Sequence, residues 1–178
     1  MGFVSTHFPS QRPEYLLDLP LARSLMPGPY HDFLLLSQTE CDFSDYMQFI
    51  NDPRAIHVED DLIRYMADTL AWIPTHNPST NEFHYGLCTH GPTVIHTDGA
   101  SSAAAIFDAW ATLLDCAPAT TNLTGGWSTI EGDPPGTGQY EQIDFARDEA
   151  VPKLRLIADY AKQIVETNGD YFILHSGV

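Results

Sequence analysis

The stretch that decides the fold class is LTGGWSTIEGDPPGTGQYEQIDF, residues 123–145. Residues 123–131 and 139–145 have the composition of two β-strands, and the glycine- and proline-rich loop 132–136 between them favours a hairpin. Hairpins join antiparallel strands, whereas neighbouring parallel strands need a long crossover connection. The stretch therefore indicates an antiparallel sheet.

The sequence after this hairpin predicts one more helix and one more strand. Asp148 is a candidate N-cap for a helix that Gly169 ends, and Pro152 is compatible with that helix only in its first turn. Residues 171–175 are predicted to form the last strand. Before the hairpin, a wide apolar stripe predicts a helix over 101–116.

The first hundred residues predict a more irregular arrangement. The apolar run 33–36 is typical of a buried strand, and residues 44–50 could begin a short helix. The apolar residues of 56–73 recur at helical spacing, with Asp60 and Arg64 able to pair in solvent. Residues 75–81 have the composition of a loop. In residues 83–97, apolar and polar side chains alternate, which predicts a second hairpin.

These elements together predict the fold class. The prediction is an α+β protein with a mostly antiparallel sheet of about five or six strands packed with three or four helices, because the strands are joined mainly by hairpins and no βαβ nucleotide fingerprint occurs. Residues 1–178 are expected to form a single domain, with an irregular proline-rich segment at about 1–30.

Charge excludes several classes of partner. The chain has 24 Asp and Glu against 8 Lys and Arg, for a formal net charge of −16. Such a surface repels phosphate backbones and anionic lipids, so we expect no direct nucleic-acid binding and no membrane binding. Cationic partners are favoured instead, although solubility alone can also explain an acidic surface.

The cysteine pattern and the N-terminal residues bear on location. Three cysteines at wide spacing are typical of reduced thiols, and residues 1–10 lack the basic and apolar pattern of a signal peptide. We therefore expect a cytoplasmic protein.

The candidate metal ligands lie between residues 84 and 98. They are His84, Cys88, His90, His96 and Asp98. A hairpin could bring some of them to one ion, which gives a metal-dependent hydrolase as the alternative function. However, the spacing matches no zinc signature, polar alternation is normal on a solvated sheet, and Asp98 could simply cap a helix. The main expectation is therefore no metal, no cofactor and no catalytic residue.

Two acidic segments flank aromatic residues, at 37–73 and 131–149. Carboxylates accelerate the approach of a basic partner and a buried aromatic ring anchors it, which is the arrangement expected of an acidic inhibitor. The candidate partner-binding residues are Glu59, Asp60, Asp61, Trp127, Asp133, Tyr140, Glu141 and Asp144.

The second half of the chain resembles a known group of proteins. The relevant residues are Gly126-Trp127, the strand 140–145 running into Arg147-Asp148-Glu149, the helix that follows, and the final His175-Ser176-Gly177-Val178. In these residues and in the order of these elements, residues 100–178 resemble immunity proteins of bacterial polymorphic toxin systems, including the contact-dependent inhibition type. The resemblance implies a non-enzymatic cytoplasmic bacterial protein. Such a protein binds the basic C-terminal domain of a cognate toxin stoichiometrically and blocks its active site or substrate access.

Overall fold

The computed structural model describes residues 29–40, 47–49, 52–129, 132, 134 and 136–178. Within these ranges the strands are β1 Tyr30–Ser37, β2 Ile56–Glu59, β3 Pro74–His76, β4 Phe83–Tyr85, β5 Pro92–Ile95, β6 Thr120–Ser128, β7 Gln139–Ala146 and β8 Tyr171–Ser176. The helices are α1 Asp60–Tyr65, α2 Ala67–Leu70, α3 Thr97–Asp115 and α4 Arg147–Glu166. The α+β class is confirmed.

Six of these strands form one sheet, in the order β2, β1, β8, β5, β3, β4. All neighbouring strands in it are antiparallel. Strands β6 and β7 form a separate two-stranded hairpin. The expected antiparallel sheet of five or six strands therefore matches the main sheet, and the hairpin is an addition to it.

The core lies between the main sheet and the two long helices. Alternation along β1 directs His31, Phe33 and Leu35 to the helix side, where the ring of Phe33 meets that of Phe107 of α3 edge to face at 5.6 Å. Alanines on the facing sides of α3 and α4, such as Ala111 and Ala158, are fully buried, and small side chains let two helices approach closely.

The opposite face of the sheet is also apolar. It carries a second buried cluster formed by Leu34, Leu36, Val94, Phe172 and Leu174, with Phe49 packed against it. Strands buried on both faces lose the simple apolar and polar alternation, which is why 33–36 reads as a continuous apolar run.

Two of the expected elements are wrong. Residues 56–59 form β2 rather than the start of a helix, because Ile56 and Val58 are buried in a strand that pairs with β1, and helix begins only at Asp60. Residues 83–97 are not a hairpin: β3, expected as a loop, lies between β4 and β5 and pairs with both.

The start of α4 also differs from the expectation. The helix begins at Arg147 with Ala146 at the N-cap, so Asp148 lies in the first turn and binds the Arg147 guanidinium at 2.9 Å instead of capping. Pro152 is then the sixth residue of the helix, beyond its first turn. The proline-rich segment and most of the expected helix at 44–50 lie outside the described residues.

Candidate functional site

The outer face of the β6–β7 hairpin carries an exposed aromatic pair. Trp127 and Tyr140 are cross-strand partners, their rings meet edge to face with centroids 5.0 Å apart, and their side chains are 53% and 56% exposed. Edge-to-face geometry is favourable, and it holds the two rings in a fixed relation. The pair thus offers a preformed apolar contact surface.

A β-bulge places Trp127 on this face. The register pairs Thr124 with Gln142 and Trp127 with Tyr140, so Gly125 and Gly126 together oppose the single residue Glu141. One extra residue reverses the face on which all later side chains of a strand lie. Under strict alternation without a bulge, residues 124 and 127 would lie on opposite faces, so Trp127 would not share the face of Tyr140.

Strand alternation separates the acidic candidates on β7. Tyr140, Gln142 and Asp144 are exposed on the outer face, whereas Glu141 shares the inner face with the buried Ile143. On the outer face, the Asn122 amide donates a hydrogen bond to the Asp144 carboxylate at 2.8 Å. Asp144 is therefore the carboxylate that lies on the same face as the two rings.

The inner face of the hairpin borders a cleft against α1. The cleft has a volume of about 310 Å³, and its lining includes Asp61, Arg64, Tyr65, Gly125 and Glu141. The Arg64 guanidinium bridges the two walls, because it lies 3.8 Å from Asp61 and 3.6 Å from Glu141. Asp61 is 62% exposed, so its charge is only partly compensated.

Asp60, expected to steer a partner, has a structural role. Its Oδ1 accepts a hydrogen bond from Nε2 of the buried His31 at 2.9 Å, and its side chain is only 13% exposed. His31 Nδ1 lies 2.8 Å from Nε2 of His175, which is completely buried. Because His31 Nε2 donates to the carboxylate, its Nδ1 accepts from His175 in the neutral ring. The buried Nδ1 of His175 then carries a lone pair that has no partner among the described residues.

Burial and the neighbouring His31 lower the pKa of His175 from 6.5 to about 3. Removing a cationic imidazolium from water is costly, so the buried ring stays neutral at physiological pH. The Asp60–His31–His175 chain therefore joins the start of α1 to strands β1 and β8 through two imidazoles and one carboxylate.

The described Lys and Arg residues all form ion pairs within the protein. Six of the eight Lys and Arg residues lie in the described ranges, and each has a carboxylate oxygen within 4.0 Å. One of these pairs joins Lys153 of α4 to Glu59 at 3.0 Å, so the charge of Glu59 is compensated. Residues 65–146, which include the hairpin, contain no Lys or Arg at all.

The structure thus divides the expected partner-binding residues into groups. Trp127, Tyr140 and Asp144 share the outer face of the hairpin, and Asp61 and Glu141 line the cleft on its other side. Asp60 and Glu59 are tied to His31 and Lys153. Asp133 lies outside the described residues.

Three of the five candidate metal ligands have separate partners. His90 Nδ1 donates to the Val178 carbonyl at 3.1 Å, the Gln38 amide donates to His96 Nε2 at 2.8 Å, and Asp98 binds His76 at 2.7 Å. His84 lies on β4, two strands away from β5, so it does not face His96. Among the described residues, no three His, Cys, Asp or Glu side chains are arranged to hold a metal ion.

The comparisons with known proteins return no relative. No protein-family model, no curated protein and no solved structure matches the chain. In the described part of the chain, none of the helices has the length and apolar character needed to cross a membrane.

Proposed function

We propose that this chain is a binding protein that docks a basic protein partner on the outer face of the β6–β7 hairpin. The observation that carries the proposal is the exposed Trp127–Tyr140 pair, which the bulge at Gly125–Gly126 places beside a carboxylate-bearing strand. Tryptophan and tyrosine are enriched among the residues that dominate binding energy at protein interfaces.

The charge distribution supports a cationic partner. The hairpin lies in a segment of 82 residues, 65–146, without Lys or Arg, and the cleft beside it adds the exposed Asp61. Carboxylates around an apolar anchor accelerate association with a basic surface, and the rings then slow dissociation.

The resemblance of residues 100–178 to immunity proteins supplies the class of partner. We propose a cytoplasmic protein that binds the basic C-terminal domain of a cognate toxin one to one and blocks its active site or the approach of its substrate. A domain that acts on nucleic acid presents a cationic surface, which an acidic protein complements. The inhibitor needs no catalytic residue, metal or cofactor for this role.

Growth rescue tests this proposal. Under this proposal we expect a toxin domain to be encoded beside this chain. That domain would be expressed alone and together with the unaltered protein, and we expect only the second culture to grow. The double variant Trp127→Ala/Tyr140→Ala should lose rescue, because it removes both rings from the interface. The control Leu113→Ala removes another exposed apolar side chain, on α3, and should still rescue. Full rescue by the double variant would exclude the hairpin as the docking surface.

A further inference from the structure

A second surface with features of a binding site is the edge of the main sheet that no further described strand covers. Strand β4 is the last strand at that edge and pairs with β3 alone among the described strands. The Asn77 N–H donates to the Glu82 carbonyl at 2.9 Å and the Gly86 N–H to the Ile73 carbonyl at 2.8 Å. Hydrogen-bonded and non-hydrogen-bonded pairs alternate along two antiparallel strands. The N–H and C=O groups of His84 therefore point toward β3, and those of Phe83 and Tyr85 point outward.

The side chains on this edge are apolar and exposed. Phe83 and Tyr85 are 50% and 66% exposed, and their rings meet edge to face at 5.0 Å. Natural proteins commonly protect an open edge with lysine, proline or a covering loop. Strand β4 is only three residues long, which limits the edge that it exposes, but it carries neither lysine nor proline and presents two aromatic rings.

The surroundings of this edge are anionic. Glu82 is exposed directly before the strand, and Asp98 binds His76, whose ring contacts Phe83 at 5.6 Å. No Lys or Arg occurs from residue 65 to residue 146. A lysine or arginine in an added strand would meet carboxylates and the faces of two rings, which attract cations.

We propose that β4 is a site for strand addition, where an extended basic segment of a partner protein pairs with the outward N–H and C=O groups of Phe83 and Tyr85. The backbone hydrogen bonds supply affinity, and alternate side chains of the added strand contact the rings and the carboxylates. This inference shares with the proposed function only the positive charge of the partner, and it concerns a different surface.

A short labelled peptide of alternating lysine and valine tests the inference. We expect fluorescence anisotropy to show saturable binding, and the amide protons of Phe83 and Tyr85 to gain protection from exchange in NMR spectra. The His84 amide, which already faces β3, should change less. A peptide with glutamate in place of lysine, and one with proline in place of valine, should not bind.

Matched variants locate the binding site. Phe83→Ser/Tyr85→Ser should weaken binding of the basic peptide about tenfold, since two rings that attract a cation are lost. Trp127→Ala/Tyr140→Ala should bind it as the unaltered protein does, so a failure at the edge and a failure at the hairpin are distinguishable. Equal binding of the glutamate peptide, protection confined to residues outside β4, or absence of binding would overturn the inference. So would self-association of the protein through β4, measured by sedimentation.

Discussion

At the scale of single residues, the least expected feature is the buried chain Asp60–His31–His175. His31 and His175 are 144 positions apart, and no motif relates them. Each does alternate with apolar residues, His31 with Phe33 and His175 with Ile173, and that period of two predicts the buried face of a strand. The pairing itself depended on β1 and β8 being neighbours, which sequence spacing could not reveal.

The burial of His175 in this hydrogen-bonded chain predicts that the free energy of unfolding depends on pH. The pKa of His175 is about 3 in the folded protein and near 6.5 in an unfolded chain, so the unfolded state binds the proton more readily. The stabilisation is complete above pH 6.5 and is lost as the pH falls from there toward 3. Over this range the free energy of unfolding should fall by about 1.4 kcal/mol per pH unit from this residue.

The variant His175→Leu isolates this contribution. In urea unfolding at pH 7.5 it should be less stable than the unaltered protein by about 1–3 kcal/mol, because His31 loses its buried donor. Between pH 6.5 and 5 its free energy of unfolding should fall less steeply than that of the unaltered protein, by about 1.4 kcal/mol per pH unit. The control Ile173→Val changes a buried side chain of the same strand that carries no titratable group, and it should leave the slope unchanged. Parallel pH profiles for His175→Leu and the unaltered protein would contradict the assignment.

At the scale of elements, local patterns predicted the fold class and the longest elements but not the sheet order. The helices α3 and α4, the hairpin and β8 all follow from periodicity and turn residues. The order β2-β1-β8-β5-β3-β4 depends on contacts between distant segments. For this reason the sequence predicts a loop where β3 lies and pairs β4 with β5 instead of β3. The alternation Ile56-His57-Val58 did carry the signal for β2.

The candidate site was predictable to a similar degree. Aromatic residues near carboxylates indicated Trp127, Tyr140 and Asp144, which the structure places on one exposed face. The opposite orientation of Glu141 follows from strand alternation. The binding of Asp60 to His31 could not be predicted, because it depends on how the start of α1 meets β1.

The bulge gives a prediction at this scale. Deletion of both Gly125 and Gly126 places Trp127 directly after Thr124, opposite Glu141, and should move its ring to the inner face, away from Tyr140. We expect the near-ultraviolet circular dichroism of the ring pair and the growth rescue to be lost together. Gly126→Ala is the matched control, since a Cβ there meets nothing within 4 Å. Retention of the ring contact after the deletion would show that the bulge does not determine the face.

At the scale of the whole molecule, charge is the dominant property. A net charge of −16, with all six described cations in ion pairs, leaves an anionic field that should steer a basic partner. The surface ion pairs of these six cations add little stability themselves, since exposed pairs contribute roughly 0–1 kcal/mol each. The excess of carboxylates therefore acts mainly on association.

Asp144→Lys tests this field near the rings. Two unit charges about 10 Å apart in water interact with a free energy of about 0.4 kcal/mol. Reversal from −1 to +1 changes that interaction by two units of charge, so association with the toxin domain should be roughly fourfold slower at low salt. Glu166→Lys, at the end of α4, is the control and should have a smaller effect. Stopped-flow rates at increasing ionic strength should converge for all three proteins. Equal rates for Asp144→Lys and the unaltered protein at low salt would remove Asp144 from the interface.

The most direct measurement uses the three tryptophan indoles. The protein has Trp72, Trp110 and Trp127, and the Trp110 indole N–H is bonded internally to Thr69 at 2.8 Å. In a ¹⁵N–¹H NMR titration with the purified toxin domain, docking on the hairpin should shift or broaden the Trp127 indole signal at a one-to-one ratio while that of Trp110 stays in place. A complex that forms with the Trp127 signal unchanged would contradict docking on the hairpin.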